Sequence, residues 1–230
     1  MDRKEFLRKG VLGIGGIIAV PSLLTSCGPP PGKAWDGTGT CPVSPEETDG
    51  PFPSHSPAEL VKQNIVGDRV GIPLTVTLTI KKQSNNCEPY PGVVVDIWQC
   101  DADGNYSEYG GGGIQQKDYK QEHFLRGRQT TNENGQVSFQ SIFPGWYQNR
   151  ATHIHVEISD SASKSLLITQ IAFPKETCDK VYATERYHGP AATTNEQDDI
   201  FNDSLAGNMA DSLTGDLTSG FVLHKIINVA

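Results

Sequence analysis

"PLTVTLTI", residues 73–80, alternates apolar and polar side chains without a fault: Leu74, Val76, Leu78 and Ile80 to one side, Thr75, Thr77 and Thr79 to the other. Successive side chains of a strand project to opposite faces, so this pattern is a strand with one face in a core and one toward water. Five further stretches share its apolar, β-branched character: "GVVVDIWQ" (92–99), "GQVSFQSI" (135–142), "ATHIHVEI" (151–158), "SLLITQIAF" (165–173) and "GFVLHKII" (220–227). Turn formers such as "SNNCEPYPG", "DADGN" and "NENG" separate them. Helical periodicity is confined to short stretches near 57–64 and 197–206. Strands without intervening helices predict an all-β fold, an antiparallel β-sandwich with long functional loops and few short helices, in one domain over residues 41–230. The Gly-rich "YGGGGIQQ" (109–116) lacks a strand-to-helix unit around it and reads as a flexible surface loop, not a phosphate cradle.

Upstream of that domain, a charged "MDRKEFLRKG" leads into the apolar "VLGIGGIIAVPSLL" and then "LTSC". This is the order of a secretory signal ending in a lipoprotein cleavage box, over residues 1–27, with an apolar stretch too short to span a bilayer comfortably. Lipidation is expected at Cys27, followed by a flexible tether over 28–40, so the domain is expected to work outside the cytoplasm with a lipid anchor as its only membrane contact. "RKEFLRK" also resembles a twin-arginine export signal with one Arg replaced by Lys. Four Cys remain, Cys41, Cys87, Cys100 and Cys178, an even number in an oxidising compartment, and two disulfides are expected. A strand running up to Cys100 keeps that residue away from Cys87, which leaves Cys41 to pair with Cys87 or with Cys100. The formal charge is −8, and it becomes more negative without the basic N-terminus; nucleic-acid binding, which needs a basic face, is disfavoured.

Chemistry concentrates in "GWYQNRATHIHVEI", residues 145–158. The period of two places His153, His155 and Glu157 on one face of a strand and Ile154, Val156 and Ile158 on the other, so two imidazoles project together while the apolar face enters the core. Alone, such a pair is ambiguous; zinc hydrolysis would require a carboxylate or third His that the motif does not supply. Tyr147 and the distant Tyr106 resolve the ambiguity, because both follow strand ends, where a sandwich carries its functional loops. A free phenol has a pKa near 10, so a phenolate ligand at neutral pH calls for a strong Lewis acid, and ferric iron is the natural candidate. Two phenolates and a hydroxide balance Fe³⁺ while two neutral His complete the set, which avoids burying an unpaired charge.

"VDIWQCDADGNYSEY" (95–109), "HFLRGRQTTNENGQVSFQSIFPGWYQNRATHIHVEIS" (123–159) and "LLITQIAF" (166–173) together resemble the intradiol ring-cleavage dioxygenases, the non-haem ferric enzymes that include catechol 1,2-dioxygenase and protocatechuate 3,4-dioxygenase. The resemblance extends from Cys41, through "CPVSPEETDGPFP" (41–53), to Phe173, and is closest to the secreted single-chain type. It implies that Tyr106, Tyr147, His153 and His155 ligate Fe³⁺ and that Tyr147 leaves when a catecholate chelates. It further implies that Arg150 stabilises negative charge building on the substrate and that Gln170 hydrogen-bonds near the oxygen site. Gly50 and Pro51 are expected at the rim of the substrate pocket, and Trp146 as a wall of it. The implied reaction cleaves a catechol-type ring between its two hydroxylated carbons with O₂, giving a muconate-type dicarboxylate. No helical dimerisation region is evident before "GIPLTVTLTI", so a monomer or weak oligomer is expected. The rival reading is a non-catalytic β-sandwich displayed on the membrane surface as a binding module.

Overall fold

The computed structural model describes residues 41–55 and 57–230. The signal, lipidation site Cys27 and tether expected over 1–40 lie outside the described residues. Among the described residues nine strands form two sheets. One joins β1 (Pro73–Lys82), β2 (Glu88–Pro89), β5 (Gln136–Ile142), β8 (Ser212–Asp216) and β9 (Gly220–Val229), with β1 and β9 at its centre. The other runs in the order β4 (Arg126–Thr130), β3 (Val94–Trp98), β6 (His153–Ser159), β7 (Ser165–Ala172). All six stretches expected as strands are strands. The sheets face each other across a continuous apolar core in which Leu74, Val76, Leu78 and Ile80 of β1 meet Val95 and Ile97 of β3 and Ile154, Val156 and Ile158 of β6.

Four features depart from the sequence expectation. The pair β1–β9 is parallel, Leu74 opposite Phe221 through Lys82 opposite Val229, within an otherwise antiparallel arrangement. Strand β4, "RGRQT", carries no apolar alternation because its inward positions are Gly127, against Ile65 and Phe139, and Gln129, while its two arginines project from the outer face of the sheet. There Arg128 meets Asp96 in a bidentate pair, Nε at 2.7 Å and Nη2 at 2.6 Å. The longest helix, α1 (Lys175–Tyr182), follows Pro174 and seats Cys178, Val181 and Tyr182 in the core. The helices expected near 57–64 and 197–206 shrink to a 3-10 turn at Pro57–Glu59 and the single-turn α2 (Leu205–Asn208).

The expectation of two disulfides is corrected to one. Cys41 bonds Cys87, with Cα atoms 5.9 Å apart, whereas Cys100 and Cys178 are buried free thiols. They pack into different clusters, Cys100 among Phe52, Trp98 and Tyr106 and Cys178 in the central core.

Candidate active site

Alternation on β6 has two buried faces. Ile154, Val156 and Ile158 enter the sandwich, while His153 and His155 on the opposite side are equally inaccessible to water. Cross-strand register explains what surrounds them: Trp98 on β3 stands opposite both Arg126 on β4 and His155 on β6, and His155 stands opposite Gln170 on β7. The outer face of this sheet thus carries a row Arg126, Trp98, His155, Gln170. Trp98 lies flat against the His155 ring, centroids 4.9 Å apart and planes 1° from parallel.

Chain segments outside the sheets cover this row. Residues 41–55 run along β7, where Glu47 N–H donates to Ile168 O (2.8 Å) and Gln170 Nε2 to Thr48 O (2.8 Å). They then cross the site. Gly50, at φ +71°, passes so near that a Cβ there would stand 2.9 Å from His155 Cε1. Phe52 stacks on Tyr106, centroids 4.6 Å apart. Pro51 is exposed, and its neighbour Phe52 is the side chain that enters. Buried Arg126 fastens this crossing, donating from Nη1 to Phe52 O (3.0 Å) and Ser54 Oγ (3.1 Å).

Tyr106 is delivered by the turn "DADGN". Asp101 Oδ1 accepts the amide N–H groups of Asp103 (3.0 Å) and Asn105 (2.9 Å). Gly104, at φ +80°, permits a backbone approach to the Trp146 carbonyl that a Cβ would block at 2.3 Å. The Gln115 side chain then accepts the Tyr106 N–H (2.6 Å) and donates to its carbonyl (2.8 Å). The "YGGGGIQQ" loop therefore lies on the surface except at Gln115, which turns inward as a clamp. Tyr147 and Arg150 occupy one turn before β6, closed by Arg150 N–H to Tyr147 O (3.1 Å).

The polar atoms converge. His153 Nε2 lies 3.1 Å from His155 Nε2 and 3.4 Å from Tyr106 Oη. Arg150 Nη1 lies 3.5 Å from His153 Nε2 and donates toward Tyr147 Oη at 3.4 Å. The Tyr147 ring centroid is 5.6 Å from that of Tyr106 and 5.5 Å from that of His153. Burial and then the Arg150 charge push the His153 pKa down to about 3, and burial with its charged neighbours holds His155 well below the ordinary range, so both imidazoles are neutral. Burial raises both phenols, Tyr106 well above its ordinary value, and the Arg150 charge opposes the rise at both.

This donor set fits one cation. His153 Nδ1 donates to Ala151 O (2.6 Å), leaving Nε2 with its lone pair aimed into the cluster beside His155 Nε2. Adjacent donors on one ion at about 2.1 Å stand roughly 3 Å apart, the spacing seen between these atoms. Among the described residues no group of three or more His, Cys, Asp or Glu side chains is placed to hold a metal.

Two open cavities flank the cluster and share Phe52 and Gln115. One, about 280 Å³, is walled by Trp146, Tyr147 and His188; the other, about 400 Å³, by His55, Glu108 and Tyr109. Trp146, lining the first of these, is held by Nε1 donating to Gly189 O (3.0 Å). Glu157 stays outside the cluster, opposite Asp96 on β3. The sequence gives no signal for Asp198: it stands in the polar run "NEQDD", yet it is fully buried against Arg150.

A family model described as dioxygenase matches residues 49–199. None of the curated proteins matches the chain. Among solved structures, an intradiol ring-cleavage dioxygenase from Tetranychus urticae is 32% identical with a TM-score of 0.73, over 82% of this chain and 95% of that one. The dioxygenase domain of a carbohydrate-binding fusion protein from Streptomyces sp. SirexAA-E shares the fold at 23% identity and TM-score 0.59, over 81% of this chain and 97% of that one. Catechol 1,2-dioxygenase from Acinetobacter sp. ADP1 does so at 18% and 0.54, over 81% and 62%.

Proposed function

Because the chain belongs to the intradiol ring-cleavage dioxygenases, we propose that it opens a catechol-type ring between the two hydroxylated carbons, using O₂ and a ferric ion and yielding a muconate-type dicarboxylate. In this reading Tyr106, Tyr147, His153 and His155 hold the iron, which supplies Lewis acidity toward a chelating catecholate. The observation that carries the reading is the convergence of two neutral, buried Nε2 atoms 3.1 Å apart with Tyr106 Oη, 3.4 Å from one of them, beneath Tyr147. Two phenols beside two neutral imidazoles suit a trivalent ion, since both phenolates together cancel most of its charge.

The two tyrosines divide their work by exposure. Tyr106 is wholly buried under Phe52 and is the permanent ligand. Tyr147 is partly exposed and walls the 280 Å³ cavity, so it can swing toward solvent as substrate enters. Its Oη then takes a proton from a catechol hydroxyl. Arg150 Nη1, beside Tyr147 Oη and His153 Nε2, places positive charge where the deprotonated substrate must lie. Gln170 spends its amide on Arg150 and on Thr48 O, and so holds the guanidinium and the covering segment together. Phe52 and Trp98 keep water from the buried side.

The order of charged, apolar and "LTSC" segments at the N-terminus supports an exported protein lipidated at Cys27, working as a monomer or weak oligomer. The reaction is tested by incubating iron-loaded protein with catechol under ¹⁸O₂ and identifying the product by mass spectrometry. A ring-opened dicarboxylate carrying two labelled oxygens is expected; cleavage outside the diol, or release of a quinone without labelled oxygen, would overturn the proposal.

A further inference from the structure

We propose that Asp198 is a positioning residue for Arg150, setting the direction in which the guanidinium offers its free nitrogen to the substrate. The inference rests on the ferric dioxygenase reading above and adds a residue from outside every motif that suggested it.

Each nitrogen of the Arg150 guanidinium has a separate assignment. Nε donates to both oxygens of Asp198, at 2.9 Å and 3.1 Å, and Nη2 donates to Gln170 Oε1 at 2.5 Å. Two fixed points determine the orientation of a planar fork, so the third nitrogen, Nη1, is left pointing at Tyr147 Oη and His153 Nε2. The Phe201 ring, 5.6 Å from Arg150 Cζ, adds an aromatic contact to the guanidinium. Asp198 is itself rigid: its side chain is 0% exposed, and it also accepts the backbone N–H groups of Ala151 (2.7 Å) and Ile200 (2.9 Å). A long side chain that is 11% exposed and would otherwise sample many rotamers is thereby fixed beside the reacting region. The carboxylate sits on the Nε side, so the buried pair is a dipole with its positive end at the metal-binding cluster.

Asp198 also ties two backbone segments, and a purely structural role is the rival. The two are separated by a cycle of Asp198→Asn, Arg150→Met and the double variant, each scored for iron content, visible spectrum, kcat and KM. Asparagine presents an NH₂ where an N–H must be accepted, so the fork is released while the four metal-binding side chains are untouched. Asp198→Asn is expected to keep wild-type iron content and colour, to change KM by less than about threefold, and to lower kcat about a hundredfold, the scale of a misplaced catalytic group. In the Arg150→Met background the same change should cost less than about twofold, because Asp198 then has nothing to position. Equal losses in both backgrounds, or unchanged kcat in the single variant, would overturn the proposal. Should Asp198→Asn fail to yield folded protein, Asp198→Glu carries the same cycle, keeping the charge but shifting it by one methylene. Wild-type protein that neither holds iron nor cleaves catechol overturns the ferric reading itself, a result distinct from an active wild type with additive losses.

Discussion

Replacing Gly50 by alanine should damage the molecule in two separable ways. At φ +71° an L-residue is strained by about 1–2 kcal/mol. The added methyl would also stand 2.9 Å from His155 Cε1, so that ring must retreat by about half an ångström to restore ordinary contact at 3.4 Å. Its face already stacks on Trp98, and accommodation in a packed site costs about 1–3 kcal/mol more. Gly92 supplies the control: its φ is +78°, yet a Cβ there meets nothing within 4 Å, so Gly92→Ala should show the backbone strain alone. Urea unfolding of both variants, with iron per chain measured in parallel, separates the contributions. Gly50→Ala should lose about 2–5 kcal/mol and retain iron poorly, whereas Gly92→Ala should lose about 1–2 kcal/mol with iron and colour intact. Equal unfolding midpoints and equal iron contents in the two variants would refute the placement of Gly50 against His155.

Further outcomes follow from other parts of the molecule. Changing Cys41 and Cys87 together to Ser removes a cross-link spanning 46 residues and should lower unfolding free energy by up to about 4 kcal/mol in a urea titration. Alkylation of denatured, unreduced protein should label Cys100 and Cys178 and spare Cys41 and Cys87; sparing of Cys100 and Cys178 would restore the second disulfide. Ile154→Ala, on the inward face of β6, should cost about 2–5 kcal/mol in chemical denaturation while the folded fraction still binds iron. Tyr147→Phe should shift the visible absorbance of the iron-loaded protein yet alter stability by about 1 kcal/mol or less, since its hydroxyl makes only a 3.4 Å contact with Arg150.

Much of this architecture is legible in the chain because period-two alternation is a direct consequence of strand geometry. "PLTVTLTI" and "THIHVEI" each declare which side chains enter the core, and each does so as read. The alternation in "THIHVEI" also puts both imidazoles on one side, but it cannot say that this side is buried too. That burial comes from the segment 41–55, whose Gly50 and Phe52 reach the site through contacts distant in sequence. Strand β4 escapes notice because its inward positions hold Gly127 and Gln129 where apolar residues are looked for, while Arg126 and Arg128 face outward, each compensated by partners that only folding brings near. Asp198 is hidden for a similar reason: an acidic residue in an acidic run reads as solvated surface until Arg150 and the Ala151 amide are placed against it. Counting Cys in an oxidising compartment overstates cross-linking, because parity carries no information on whether Cys100 and Cys178 share a cluster.

The most direct test of the ferric site is the iron content and visible spectrum of the purified protein, recorded before and after adding catechol under nitrogen. Stoichiometric iron, a phenolate-to-iron charge-transfer band, and a shift of that band when catechol displaces Tyr147 are expected. A colourless protein that takes up no iron on reconstitution and binds no catechol would contradict the site built from Tyr106, Tyr147, His153 and His155, and would favour a non-catalytic binding module.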